Sequence, residues 1–325
     1  MVISKIDLKL EELNPYLPYL TGHTQTLLGH FIPSPYFKEL GEAIHLELPD
    51  GDFCGLQIFV PTHCEVKKVV SLYHGLAGSH QSDYMQRTAR LAYDRGWAVV
   101  WVDHRGAGIA EGMAKSPYHS GRGEDISAVM NYLRKRFPAA VQIAAGFSMS
   151  GSILLNLVTG RRGDNKPDYT ISVNAPINLK RAAEQLNKGL SKIYDVRFYL
   201  RLKKDIQKNY GQKIPFLKQT FYVDDHFTSV RSGYVNKEDY YENCSTYKYI
   251  ENINTPTFVL TAQDDPFILF EDYRDLKWPE HVHVTYSKFG GHVGYYSKNK
   301  LDQFNHRWLD HYLDRVFSAI QRLTE

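Results

Sequence analysis

The chain has 325 residues, 43% hydrophobic and 23% charged, a balance that fits a folded globular protein and excludes a disordered one. Its 39 basic and 36 acidic side chains leave a net charge of +3, too even for nucleic acid to be the main partner. Cys54, Cys64 and Cys244 are odd in number and form no C-x-x-C pair, which predicts no disulfide framework and a reducing, cytoplasmic setting. The longest apolar runs, such as Trp97 to Val102, are strand-sized, where a membrane span needs about 20 residues. Met1 to Asn14 mixes Lys, Asp and Glu among its apolar residues, so no signal-peptide pattern is expected there.

In chain order, Ile44–Leu48 and Gly55–Val60 flank the turn cluster Pro49-Asp50-Gly51-Asp52, which predicts an antiparallel hairpin at a sheet edge. The apolar runs Lys68–Tyr73, Trp97–Val102, Val141–Ala145, Tyr169–Val173, Thr257–Thr261 and Val282–Ser287 barely alternate with polar residues. Strands buried on both faces of a parallel sheet read this way. Helical patterns lie between them. Gln81 to Arg95 places Tyr84, Thr88, Leu91 and Ala92 on one face and stops at Gly96; a second carries Ile126, Val129, Met130 and Leu133 and ends at Phe137-Pro138. This succession predicts an α/β fold, a doubly wound and mostly parallel sheet. The alternation stops after Ala175-Pro176 and resumes at Thr255-Pro256. Residues 177–250 are therefore expected to form a helical cap over the sheet's carboxyl edge, set on a core of residues 1–176 and 251–325. The cap holds 14 Lys or Arg against 8 Asp or Glu, a charge of +6 that leaves −3 for the rest. A last helix is expected over Lys300–Arg322, with Phe304, Trp308, Tyr312 and Val316 at helical spacing.

The run Val141–Ala145 leads into Gly146-Phe147-Ser148-Met149-Ser150-Gly151, followed by the apolar residues Ile153, Leu154 and Leu157. A serine on a sharp strand-to-helix turn needs small neighbours and presents its hydroxyl above the sheet, which marks Ser148 as a nucleophile. The pattern departs from G-x-S-x-G at Ser150. A second G-x-S, at Gly189-Leu190-Ser191, follows no strand and carries no such expectation. A serine nucleophile needs a base and an acid to orient it. Two loops after later strands supply candidates: Asp264-Asp265-Pro266-Phe267, and Gly290-Gly291-His292-Val293-Gly294. Among 14 histidines, His281 and His283 read as a strand start, and His306 and His311 fall in the last helix. Two backbone N–H groups should stabilise the oxyanion: Met149, directly after the nucleophile, and Leu76 in His74-Gly75-Leu76-Ala77-Gly78-Ser79.

Taken with Gly22-His23-Thr24-Gln25-Thr26, His104-Arg105-Gly106, Tyr118-His119-Ser120-Gly121 and Ala175-Pro176, these motifs resemble the YheT-like branch of the α/β-hydrolases. Eukaryotic relatives in that family include lipid-cleaving esterases. The resemblance runs over nearly the whole chain and implies a Ser/Asp/His carboxylic-ester hydrolase with no metal or organic cofactor. The acid usually stands directly before the proline, which implies Asp265 rather than Asp264. His119-Ser120-Gly121 is expected to brace the fold.

The expected partner is a small-molecule ester or lipid. Other readings stay open at this point. Acyl transfer to an alcohol is one. Another is a membrane-surface lipase or phospholipase, because Arg197, Arg201, Lys204 and Lys208 would share one face if 191–208 is helical. A third is a catalytically weak binding module, suggested by Ser150. Oligomeric state is not written in the sequence.

Overall fold

A computed structural model describes residues 2–16, 21–32, 37–62 and 65–325. Eight strands make one sheet: β1 (Glu42–Glu47), β2 (Phe53–Phe59), β3 (Lys68–Tyr73), β4 (Ala98–Asp103), β5 (Val141–Phe147), β6 (Tyr169–Val173), β7 (Thr257–Ala262) and β8 (Val282–Ser287). Their order is β1-β2-β4-β3-β5-β6-β7-β8. The hairpin β1–β2 is antiparallel and joins β4 antiparallel, and every later pairing is parallel. Expected strands and expected edge hairpin are all present.

The unbroken apolar runs have a physical cause: both sheet faces are covered. Along β3 and β4, Val70, Leu72, Val99 and Trp101 pack against Met85, Ala89 and Ala92 of α2 (Asp83–Tyr93). Their neighbours Val69, Tyr73, Ala98 and Val100 turn the other way. They meet Val129 and Met130 of α3 (Gly123–Arg136), after α1 (Gly22–Phe31) in chain order, and Ile153 and Leu157 of α4 (Met149–Val158). The motif His104-Arg105-Gly106 ties the edge hairpin to α3. Arg105 bonds Asp125 at 2.6 Å, Asp50 at 2.7 Å and Asp52 at 3.0 Å.

The stretch expected as a cap is helical. It holds α5 (Leu179–Leu186), α6 (Lys192–Tyr210), α7 (Thr220–Val223), α8 (Ser229–Arg231) and α9 (Lys237–Cys244). These helices bury small clusters of their own, Tyr199 with Ile206, Val223 and Phe227, and Leu179 with Tyr240, Tyr241 and Cys244. After β7 comes a single turn, α10 (Glu271–Arg274), and the chain closes on α11 (Trp308–Thr324).

The last helix starts later than its spacing predicts. Asn305 adopts φ +53°, a left-handed conformation that a right-handed helix cannot absorb. Tyr296 also bridges Arg307 antiparallel, and Ser297 N–H bonds His306 O at 2.9 Å. Phe304 therefore packs from a short 3₁₀ turn, and His306 lies outside the helix, its Nδ1 2.9 Å from Ser297 O. Cys54 and Cys244 are buried free thiols, and Cys64 falls outside the described residues.

Candidate active site

Ser148 sits between β5 and α4 with φ +55° and ψ −123°, a strained conformation that lifts its side chain above the sheet. The turn closes tightly. A Cβ at Gly146 would stand 2.5 Å from Ser150 O, and one at Gly151 would stand 2.8 Å from Ala175 Cβ. Only glycine fits either place.

The loops after β7 and β8 bring the other two residues to this hydroxyl. His292 Nε2 lies 2.8 Å from Ser148 Oγ, and His292 Nδ1 lies 2.8 Å from Asp265 Oδ2. A carboxylate only accepts, so the ring proton is on Nδ1 and the Nε2 lone pair faces the serine hydroxyl. Asp265 is held on all sides. Its Oδ1 accepts the N–H groups of Phe267 at 3.1 Å and Ile268 at 3.0 Å, and its Oδ2 also accepts Asn174 Nδ2 at 2.7 Å. Its neighbour does other work. Asp264 Oδ1 accepts the N–H of Gly291 at 2.8 Å, while its buried Oδ2 finds no partner among the described residues. Burial pushes the Asp264 carboxyl up to about 6.

Several supports gave no chemical signal in the sequence. Thr26 Oγ1 accepts His292 N–H at 2.9 Å and donates to Gly22 O at 2.6 Å, so the Gly22–Thr26 motif on α1 holds the histidine loop. Gln25 brackets the backbone of Tyr296, with bonds of 2.9 and 2.7 Å. Asn174, in the left-handed region at φ +48°, accepts Tyr295 O–H at 2.7 Å while donating to Asp265. Its one clue is its place, directly beyond β6 and before Ala175-Pro176.

In the turn after β3, most amides are engaged. Gly75 N–H donates to Tyr84 Oη at 3.0 Å, Ala77 N–H to Tyr118 Oη at 2.8 Å, and Gly78 N–H to Gly75 O at 3.1 Å. The amide of Leu76 makes no bond within the described residues, and Leu76, Ser148 and Met149 line one cavity. Ser150 is buried, and its hydroxyl donates to His74 O and accepts from His104 Nε2 at 2.7 Å. Burial holds His104 well below its ordinary range, consistent with a neutral ring that donates here. The hydroxyl that replaces the expected glycine thus ties the first turn of α4 to the ends of β3 and β4.

Two spaces meet at Ser148. One is an apolar cavity of about 150 Å³ under the cap, lined by Phe198, Leu202, Phe227, Tyr240, Phe267 and others. The second is a wider polar cleft of about 810 Å³, bordered by Ser79, Tyr194, Arg197, Arg201, Asp205 and His292. Asp205 stands in the walls of both, its carboxyl pushed up to about 6, chiefly by burial. His119 and Ser120 reach the apolar cavity but also brace the fold. Ser120 O accepts Asn156 Nδ2 at 3.0 Å, and Ser120 N–H reaches Tyr240 Oη at 3.3 Å. Ser191, the second G-x-S serine, is buried and donates to Pro266 O at 2.8 Å. His281 Nε2 bonds Ile253 O at 2.6 Å just before β8.

Comparison with known proteins bears on this arrangement. A family model described as "Serine aminopeptidase, S33" matches residues 64–277, more than half of the chain. The Escherichia coli protein YheT is 30% identical over 87% of this chain and 87% of its own. Phospholipase ABHD3 of Homo sapiens is 27% identical over 94% of this chain and 77% of its own length. Monoacylglycerol lipase of Saccharomyces cerevisiae is 29% identical over 75% of this chain and 57% of the yeast protein. Among solved structures, the Pyrococcus furiosus esterase Pf2001 superposes with a TM-score of 0.61 at 13% identity, covering 97% of this chain and 98% of that one. Sequence likeness over most of the length and likeness of fold agree, and the chain belongs to the YheT branch of the α/β-hydrolases, serine hydrolases of the esterase and lipase kind.

Proposed function

We propose that this protein cleaves carboxylic esters with short- to medium-chain acyl groups, and that Ser148, His292 and Asp265 carry the reaction. The observation that carries this reading is the 2.8 Å contact of Ser148 Oγ with His292 Nε2 at the junction of the apolar cavity and the polar cleft. His292 Nε2 takes the hydroxyl proton as Ser148 Oγ attacks the ester carbonyl. The amides of Leu76 and Met149 receive the oxyanion, and Asp265 keeps the imidazole in the Nδ1–H tautomer and stabilises its charged form. His292 then protonates the departing alcohol, which leaves through the polar cleft. Water, deprotonated in turn by His292, releases the acid and restores Ser148. Every step is a proton transfer or an acyl transfer among these groups.

The cavity sets the acyl length. A space of about 150 Å³ matches an engineered apolar cavity that holds benzene, so it takes roughly six carbons. Of the cap aromatics, Phe198, Tyr210, Phe227, Tyr240 and Tyr241 line this space, Tyr194 and Phe198 border the cleft, and Tyr222 stacks on His226 away from both. With a panel of 4-nitrophenyl esters, kcat/KM is expected to peak near butyrate to hexanoate and to fall for decanoate. Phe198→Ala should move the peak to longer chains, raising the long-to-short ratio by about tenfold or more, the worth of one methylene in an apolar pocket. A flat profile in the wild type, or a ratio unchanged in Phe198→Ala, contradicts this assignment of the pocket.

A further inference from the structure

Helix α6 is amphipathic in two directions. Its inner side is ordinary: Tyr194, Tyr199 and Ile206 are buried, and Phe198 and Leu202 line the apolar cavity. Its outer side is also apolar. Ile193 is 64% exposed and Leu200 44%, with Val196 exposed between them and Leu190 just before the helix. At 3.6 residues per turn, Ile193, Val196 and Leu200 form one stripe along the outside. The loop after the helix extends it. Tyr199 Oη donates to Pro215 O at 2.9 Å, and Lys203 Nζ lies 5.0 Å from the ring of Phe216, itself 80% exposed beside exposed Leu217.

The charges around this stripe have one sign. The same periodicity puts Lys192 and Lys203 along one border and Arg197 and Lys204 along the other. Both acids of the helix point elsewhere: Asp195 is buried and accepts Thr220 N–H at 3.0 Å, and Asp205 lines the cavities. The stripe adjoins the site as well, because Arg197 and Arg201 border the polar cleft that opens onto Ser148 and His292. The basic face expected from the sequence is thus divided. Arg197 and Arg201 serve the cleft, and Lys208 bonds Glu111 at 2.6 Å.

We infer that the outer face of α6, with the Phe216–Leu217 loop, docks on an anionic lipid bilayer. Exposed apolar groups at helical spacing, framed by cations on a cap that carries +6, are what an interfacial helix presents to a membrane. The apolar side chains enter the headgroup boundary, and the lysines meet lipid phosphates. The mouth of the cleft then lies at the membrane surface, where esters of lipid alcohols are concentrated. Among the described residues no helix is long and apolar enough to cross a membrane.

The test measures binding alone and so stands apart from whether Ser148 is the nucleophile. Full-length protein is sedimented with vesicles of phosphatidylglycerol and phosphatidylcholine, or of phosphatidylcholine only, at low and high salt. The wild type should bind the anionic vesicles at least about tenfold more strongly, and 0.5 M salt should erase most of that difference. The paired changes Ile193→Asp and Leu200→Asp, at exposed positions that leave the fold undisturbed, should lower binding by about tenfold or more. Lys192→Glu with Lys204→Glu should lower it comparably, near fivefold for each cation lost. Hydrolysis of a water-soluble butyrate ester should stay unchanged in all four substitutions. Equal binding to both vesicle types, no binding, or binding untouched by the aspartates overturns the inference. So does a wild-type dimer in analytical ultracentrifugation that Ile193→Asp dissociates, which would assign the stripe to a second copy of this chain.

Discussion

Replacing Ser148 with alanine is expected to lower kcat/KM for a soluble butyrate ester by about 10⁴-fold or more, a loss of about 5 kcal/mol in transition-state stabilisation. The size follows from what remains. The amides of Leu76 and Met149, proposed as oxyanion donors, and the apolar cavity are untouched by this change, so substrate should still bind and its carbonyl should still be polarised. What is missing is the oxygen that His292 Nε2 reaches among the described residues, at 2.8 Å. KM should therefore change little while kcat collapses. Ser191→Ala is the control. Its hydroxyl bonds Pro266 O and not His292, and its loss should leave kcat within a few-fold of wild type. Comparable losses at the two serines would remove Ser148 from its assigned place.

The second large effect separates two adjacent carboxylates. Asp265→Asn is expected to cost about 10⁴-fold in kcat, as in other triads. An amide at 265 must turn its NH₂ either toward the N–H groups of Phe267 and Ile268 or, at the Oδ2 place, toward His292 Nδ1–H and Asn174 Nδ2–H; the backbone donors are fixed, which favours the second. The easiest relief is to move the ring proton to Nε2, which then offers Ser148 a donor instead of a base. Asp264→Asn keeps an oxygen for the N–H of Gly291 and removes a carboxyl that burial already pushes up to about 6. Its cost should be about tenfold or less, seen as a small change in kcat at pH 7.5. The opposite ranking would assign the orienting acid to Asp264.

How much of this could be read from the residues depended on whether the signal was local. The elbow was legible because a strand, a G-x-S and an apolar helix follow one another within twenty residues. The acid and histidine loops were legible because each comes directly after an apolar run. Thr26 and Gln25 stood out only as members of a family motif, and what they and Asn174 do was not legible. Each acts on a partner more than ninety residues away, and no short pattern records such a pairing. The start of α11 was misread because Phe304 keeps the helical spacing while Asn305 takes a left-handed turn. Ser150 was visible as a departure, but its meaning required the carbonyl of His74 and the ring of His104, which only the packing of β3 against β4 and α4 brings together. Arg197, Arg201, Lys204 and Lys208 lie on one helix, the condition on which their shared face depended. Which of them face the cleft depends on how the cap sits over the sheet.

The central claim is that Ser148 is the activated nucleophile of an ester hydrolase. It is tested most directly by treating the full chain with a fluorophosphonate and locating the adduct by mass spectrometry. A serine whose proton is taken by a neighbouring imidazole attacks the phosphorus and loses fluoride, leaving one stable phosphonyl group. One equivalent on the peptide containing Ser148, absent in Ser148→Ala and accompanied by full loss of ester hydrolysis, is the predicted result. Labelling of Ser150 or Ser191 instead, or undiminished hydrolysis by a protein fully modified at Ser148, would contradict it.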